Sequence, residues 1–390
     1  MKYDFDRIID RRNSGSLKWD VGENELPMWV ADMDFAAAPA IQRALEKRVA
    51  HGVFGYSIIP DEWAESYIGW WRRRHNLEID KDWLIFCTGV VPAISSCVRK
   101  LTTPAEKVLI QTPVYNIFFN SIVNNGRNVL ESPLTYKNGE YSVDFADLES
   151  KLSDPQTSLM ILCNPHNPIG KIWDRDTLAK IGELCYKHGV TVISDEIHCD
   201  ITEPDAEYVP FASVSPICRD ISVTCVAPTK CFNIAGINSA AVVIPNPRLR
   251  HKVWRALNTD EVAEPNAFAV DATIAAFTEC DDWLDEMREY VFENKRIVSE
   301  FLKENIPGVI AVPSDATYLS WIDCSAIKAD SERLASYIRE NTGLYLTAGA
   351  GYGKCGDSFL RLNAACPRSM IIDGLKRLEE GIFKYMAENR

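Results

Sequence analysis

Continuous apolar runs in the middle of the chain alternate with stretches whose apolar residues recur at helical spacing. The runs are KVLIQTP (Lys107 to Pro113), TSLMILCNP (Thr157 to Pro165), VTVISDEI (Val190 to Ile197), ISVTCVAP (Ile221 to Pro228) and SAAVVIPN (Ser239 to Asn246). They are short, unbroken and rich in Val and Ile. That pattern predicts strands buried on both faces of a largely parallel sheet. Between the second and third runs, Leu178, Ile181, Leu184 and Cys185 share one helical face, and Gly189 stands where that helix should end. The alternation predicts an α/β fold, with a mostly parallel sheet flanked by helices. A long helical pattern from about Trp283 to Glu304 leads into a C-terminal part that starts near Pro307. There SFLRLNAA reads as a strand, and Ser331 to Asn341 and Met370 to Met386 read as helices. This predicts a smaller α+β domain. The segment up to about Ala50 fits either part. Assigned to the smaller one, it gives a large domain over residues 50–285 and a small domain over 1–49 and 286–390.

At 390 residues the chain is long enough for two domains and needs no disulfide or metal staple. Its net charge of −13 argues against nucleic acid or an anionic membrane surface as partner. None of the twelve cysteines falls in a C-x-x-C pair, which removes the usual zinc and redox motifs. Several of them sit inside apolar runs, as reduced thiols do in the cytoplasm. The N-terminus, MKYDFDRIIDRRNSGS, has no apolar signal core, and no apolar stretch is long enough to span a bilayer.

Candidate chemistry lies where the runs end. In APTKCFNIAG, Lys230 follows a buried strand and precedes neutral, mostly small residues. An amine placed there loses proton affinity by desolvation, as nucleophilic lysines require. Asp195, in SDEIH, closes another run at the strand end where open parallel sheets bind ligands. It reads equally as a helix cap or a turn aspartate. NPHNPIG (Asn164 to Gly170) reads as a tight connection, or as a loop that presents the amide of Asn167. TGVVPA places Val90 and Val91 at a helix start, where backbone amides bind phosphate. Ala350 to Cys355 imitates a phosphate loop but lacks the glycine and hydroxyl residue that such a loop requires.

Taken together, these motifs resemble the fold-type-I pyridoxal-phosphate enzymes, the aspartate aminotransferase superfamily. More narrowly, they resemble its MalY/PatB-type cystathionine β-lyase (cysteine-S-conjugate β-lyase) branch. The resemblance is carried by MWVADMDF (Met28 to Phe35), FGY (Phe54 to Tyr56), PVY (Pro113 to Tyr115), NPHNPIGKIW (Asn164 to Trp173), SDEIHCD (Ser194 to Asp200), APTKCFNIAG (Ala227 to Gly236) and FLRLNAACPR (Phe359 to Arg368). It implies the aspartate aminotransferase-like fold and pyridoxal 5′-phosphate (PLP) as cofactor. By the same resemblance Lys230 holds PLP, Asp195 pairs with the ring nitrogen, and Tyr115 stacks on the ring. Asn167 reaches the ring hydroxyl and lies near the substrate carboxylate, the amides of Val90 and Val91 take the phosphate, and Arg361 clamps the substrate α-carboxylate. Tyr56 would reach the phosphate from a neighbouring subunit, which implies a homodimer with shared sites; Tyr56 also reads as an aromatic packed beside Phe54.

His198 stands where the superfamily places a tyrosine, and Ala227 where many relatives place a phosphate-binding serine. Thr229 is the candidate replacement for that serine, and near residue 238 the resemblance assigns no phosphate-binding arginine, because Asn238 stands there. The implied reaction is β-elimination of cystathionine or a related cysteine S-conjugate to a thiol, pyruvate and ammonia. The alternatives are a class I/II aminotransferase, which uses the same residues, and a PLP-holding regulator that binds a transcription factor. No metal ligand set is expected.

Overall fold

The computed structural model describes residues 2–389. Its central sheet has seven strands, in the spatial order Leu84–Cys87, Ala240–Val243, Ser222–Val226, Thr191–Asp195, Thr157–Cys163, Lys107–Ile110 and Asn128–Glu131. Neighbours pair in parallel except around Ala240–Val243, which runs antiparallel to both of its partners. The sheet is thus mostly parallel, as expected, with the last apolar run as its exception. The link from Ser222–Val226 to Ala240–Val243 contains only a short 3-10 turn, Ala235–Ile237. Adjacent strands joined without a crossover helix run antiparallel. Leu84–Cys87 and Asn128–Glu131 were not among the predicted strands. Both lie at sheet edges; Asn128–Glu131 holds only two apolar residues between polar ends, whereas WLIFC, which ends in Leu84–Cys87, is a legible apolar run.

Helices on both faces explain the unbroken apolar runs. Val108, Ile110, Leu159, Ile161 and Ile193 pack on one face with Ala93, Ile94, Cys97 and Val98 of the helix Val90–Leu101. The alternate residues Leu109, Met160, Leu162 and Val192 pack on the other face with Leu178, Ile181, Leu184 and Cys185 of the helix Arg175–Lys187. Successive residues of a strand point to opposite faces, so every position must be apolar when both faces are covered.

A second, antiparallel sheet orders Ile310–Ala311, Leu319–Asp323, Phe359–Asn363 and Thr347–Ala348. Ile322, Leu360 and Leu362 of this sheet pack with Val298, Leu302, Leu334, Ile338, Ile371 and Leu375. These come from the helices Asp281–Asn305, Ser331–Thr342 and Arg368–Glu388. The N-terminal strand Leu26–Pro27 pairs in parallel with Leu344–Tyr345, while the helix Pro39–His51 packs on the helix Ala269–Glu279. Residues 28–35 therefore pass from one part to the other. No helix among the described residues is long and apolar enough to cross a membrane.

Candidate active site

Parallel pairing sets Cys163 opposite Asp195, so both strands release their chains at the same sheet edge. A cavity of about 210 Å³ opens there, lined by Tyr115, Asn167, Asp195, His198, Thr229 and Lys230, with Val90 and Val91 at one end. The structure thus brings these predicted residues, scattered over more than a third of the chain, to one place. Arg361 lies beside the cavity and does not line it. Tyr56 does not line it either; its ring is fully exposed.

Lys230 Nζ donates to the carbonyl of Ala31 at 2.5 Å. Burial, reinforced by the charge of Arg361, lowers the amine to about 8, against smaller opposing pulls from Asp32 and Asp195. Asp195 is 5% exposed, and burial pushes its carboxyl up to about 7. Among the described residues, the one hydrogen bond its carboxylate accepts comes from Ile197 N, at 3.1 Å. That contact makes it a turn aspartate, since no helix follows it. Its neighbour Glu196 is fully buried and sealed away by Ser194 Oγ at 2.8 Å, Phe211 N at 3.0 Å and the Tyr208 hydroxyl. Of the two acids, only Asp195 faces the cavity.

The Asn164–Gly170 connection is tight because Gly170 adopts φ +67° and its N–H returns to His166 O at 2.7 Å. The turn holds Asn167 by its backbone: its N–H donates to Cys163 Sγ at 3.3 Å and its carbonyl accepts from Tyr115 N at 3.1 Å. Its side-chain Oδ1 is buried without a partner. At the other end of the cavity, Val90 and Val91 open the helix Val90–Leu101 and Gly89 occupies the N-cap. First-turn amides have no acceptor within their own helix and carry the positive end of its dipole. Thr229 and Asn238 line the cavity with them.

His198 is held neutral, its imidazole lowered to about 3 by burial and by the charges of Lys230, Arg361 and Lys295. Its Nδ1 is buried without a partner. Arg361 is 5% exposed, and its Nη2 donates to Trp29 O at 2.8 Å while Nε and Nη1 have no partner. A buried guanidinium with two unused donor nitrogens calls for an anion. Sequence reasoning missed the carbonyls of Trp29 and Ala31 and the hydroxyl of Tyr318, which donates to Ala31 O at 2.8 Å. A main-chain carbonyl leaves no side-chain signal, so only MWVADMDF as a motif pointed to this stretch.

The donor set fits a flat heterocycle that carries a cationic nitrogen, a carbonyl and a phosphate. Asp195 lacks a cationic partner, Lys230 offers a weakly basic amine, Val90 and Val91 offer free amides, and Asn167 offers an unused amide.

Comparison with known proteins agrees with this geometry. The family described as aminotransferase class I and II matches residues 17–378. The chain is 43% identical over 384 residues to the cystathionine β-lyase PatB of Bacillus subtilis (strain 168), across 97% of this chain and 99% of that one. It is 33% identical over 388 residues to the protein MalY of Escherichia coli (strain K12), across 97% and 99% respectively. The crystal structure of cystalysin from Treponema denticola, which contains a pyridoxal 5′-phosphate cofactor, superposes with a TM-score of 0.95 at 35% identity, covering 98% of this chain and 100% of that one.

Proposed function

The chain belongs to the class I and II aminotransferase family, and from that membership we propose that it is a PLP-dependent carbon–sulfur β-lyase acting on cystathionine or a related cysteine S-conjugate. One observation carries the reading. A buried lysine of lowered basicity and a buried aspartate without a cationic partner share one small cavity with a helix N-terminus. The 43% identity to a cystathionine β-lyase over nearly the full length of both chains favours lyase chemistry within the family.

PLP, when bound, supplies the electron sink that accepts the pair left on Cα. Lys230 would hold the cofactor, Asp195 would pair with its ring nitrogen, Asn167 would reach the ring hydroxyl, and Tyr115 would cover the ring. The amides of Val90 and Val91, with the Thr229 hydroxyl, would take the phosphate. Arg361 would fix the substrate carboxylate through two parallel hydrogen bonds. As a free amine, Lys230 Nζ would take the Cα proton as general base. The pair left on Cα would then form the Cα=Cβ bond as the Cβ–S bond breaks, and sulfur would leave with the bonding pair. His198, being neutral, adds no charge beside the cofactor.

Tyr56 belongs to an exposed apolar stretch in which Val53 is 63%, Phe54 54% and Ile58 80% exposed. Such a patch supports a homodimer in which Tyr56 reaches the partner's phosphate site. All twelve cysteines are free and all but Cys355 are buried, which supports a reducing, cytoplasmic setting. For the two-domain division, the pairing of Leu26–Pro27 with Leu344–Tyr345 supports grouping the N-terminal strand with residues 286–390. The packing of Pro39–His51 on Ala269–Glu279 argues for a boundary before residue 39 rather than at 50.

The test is product analysis of the PLP-loaded protein with L-cystathionine, with and without an added 2-oxo acid. Pyruvate, ammonia and homocysteine formed without the oxo acid are expected. A new amino acid that appears only with the oxo acid would mean transamination instead.

A further inference from the structure

Residues 29–34 run between the strand Leu26–Pro27 and the helix Pro39–His51, and their backbone touches both functional cations. Ala31 O receives Lys230 Nζ at 2.5 Å, and Trp29 O receives Arg361 Nη2 at 2.8 Å. The stretch is also tied to the near neighbours of those cations. Asn233 donates to Met33 O at 3.0 Å and Phe35 O at 2.7 Å, and accepts from Met33 N at 2.9 Å. Asn363 donates to Val30 O at 2.7 Å and Asp32 O at 2.6 Å.

Behind this stretch lies a charge-balanced quartet. Lys18, 1% exposed, pairs with Asp34 at 2.6 Å. Arg11 bridges Asp34 and Asp32 at 2.7 Å each and also donates to Met33 O at 3.0 Å. Trp19 Nε1 closes the set on Asp34 at 2.8 Å. Lys18 and Asp34 are buried while Arg11 and Asp32 stay partly exposed, and a buried ion pair is an inefficient stabiliser because desolvation offsets much of the attraction. Here every member bears on the backbone that receives Lys230 and Arg361.

We propose that Lys18 and Asp34, with Arg11 and Asp32, are positioning residues that hold the Trp29–Asp32 backbone at the height where one carbonyl aligns the Lys230 amine and another aligns the Arg361 guanidinium. The inference deepens the lyase reading and rests on it. One segment then couples the amine that holds the cofactor to the cation that holds the substrate carboxylate, so loosening it disturbs both together.

The variants are Lys18→Met and the isosteric Asp34→Asn, studied as PLP-loaded protein. Three quantities are measured: the pH midpoint of the visible absorbance change without substrate, KM and kcat for L-cystathionine, and the urea midpoint. Lys18→Met should move the absorbance midpoint by at least about half a pH unit and raise KM about tenfold while kcat changes less than about threefold. Lys18→Arg should return both values toward wild type. Leu178→Ala, in the core on the far side of the sheet, should lower the urea midpoint and move neither.

Loss of stability in Lys18→Met and Asp34→Asn with wild-type absorbance midpoint and KM would reduce the quartet to a structural role and overturn the proposal. If Lys18→Met does not fold, Asp34→Asn decides by the same readouts, since it keeps the side-chain volume and an acceptor for Arg11 and Trp19. A wild-type protein that takes up no PLP would sink the lyase reading and this proposal together. Normal loading and turnover with unmoved variants would sink only the positioning role.

Discussion

Lys230 can accept a proton only as the neutral amine, and burial with Arg361 nearby brings that form within reach at about 8. Below that pH the ammonium predominates and has no lone pair. kcat for β-elimination should therefore rise as pH increases through about 8 and level off above it; a kcat that falls over the same interval in a pyruvate-release assay would exclude Lys230 as the base. The same lowering acts on stability. Between about 8 and the ordinary 10.5 the folded chain binds fewer protons at this residue than the unfolded one, so its contribution to stability grows as pH rises across that window. Arg361 is legible for a different reason. Its strand, Phe359–Asn363, is buried throughout, and the pattern FLRLN already implies an arginine that needs an anion. Arg361→Lys keeps the charge but loses the paired donors of the guanidinium; steady-state kinetics should show KM for L-cystathionine raised about 10–100-fold with a smaller change in kcat. Asp195 was ambiguous as text, because turn and site readings require the same residue. In the fold it makes the turn with Ile197 and also lines the cavity.

Strands carry Asp195 and Arg361 while loops carry Asn167 and Lys230, and the Asn164–Gly170 loop takes its shape from a packing constraint outside itself. The Asn164–Gly170 turn holds Asn167 because Gly170 fits where a side chain cannot. A Cβ there would lie 2.5 Å from Ser314 Cβ and 2.7 Å from Ala316 O, at φ +67°. Gly170→Ala should cost about 2–3 kcal/mol in urea unfolding and raise KM by displacing Asn167; a variant with wild-type stability and KM would show that the turn yields freely. The strands buried on both faces were readable because two helical layers leave them few polar positions. Asn128–Glu131 was not, because only two of its four residues are apolar; Leu84–Cys87, within the apolar run WLIFC, was legible though not among the expected strands. The direction of Ala240–Val243 was not readable either: its composition matches that of its parallel neighbours, and only the lack of a crossover helix reverses it.

For the whole molecule, the outstanding question is whether one chain completes a site. Tyr56 is fully exposed in the chain described here, within a run of exposed apolar residues. If subunits share sites, mixing and refolding Tyr56→Ala with Lys230→Ala, each nearly inactive alone, should restore about a quarter of wild-type lyase activity through hybrid dimers with one intact site. No recovery in the mixture would mean that Tyr56 serves only its own chain or none. The sequence by itself determined the layered α/β class and the helix faces, through local periodicity. It marked Lys230, Asp195 and Asn167 as candidates where the apolar runs end; their roles, and that of Arg361, are what the motif resemblance implies. Only the tertiary structure decided that the carbonyls of Trp29 and Ala31 meet Arg361 and Lys230, that Asp195 rather than Glu196 faces the cavity, and that Lys18 and Asp34 pair beneath that backbone. Main-chain acceptors are the same at every residue, and which of two adjacent acids is sealed depends on partners far along the chain, so neither leaves a mark in the order of residues.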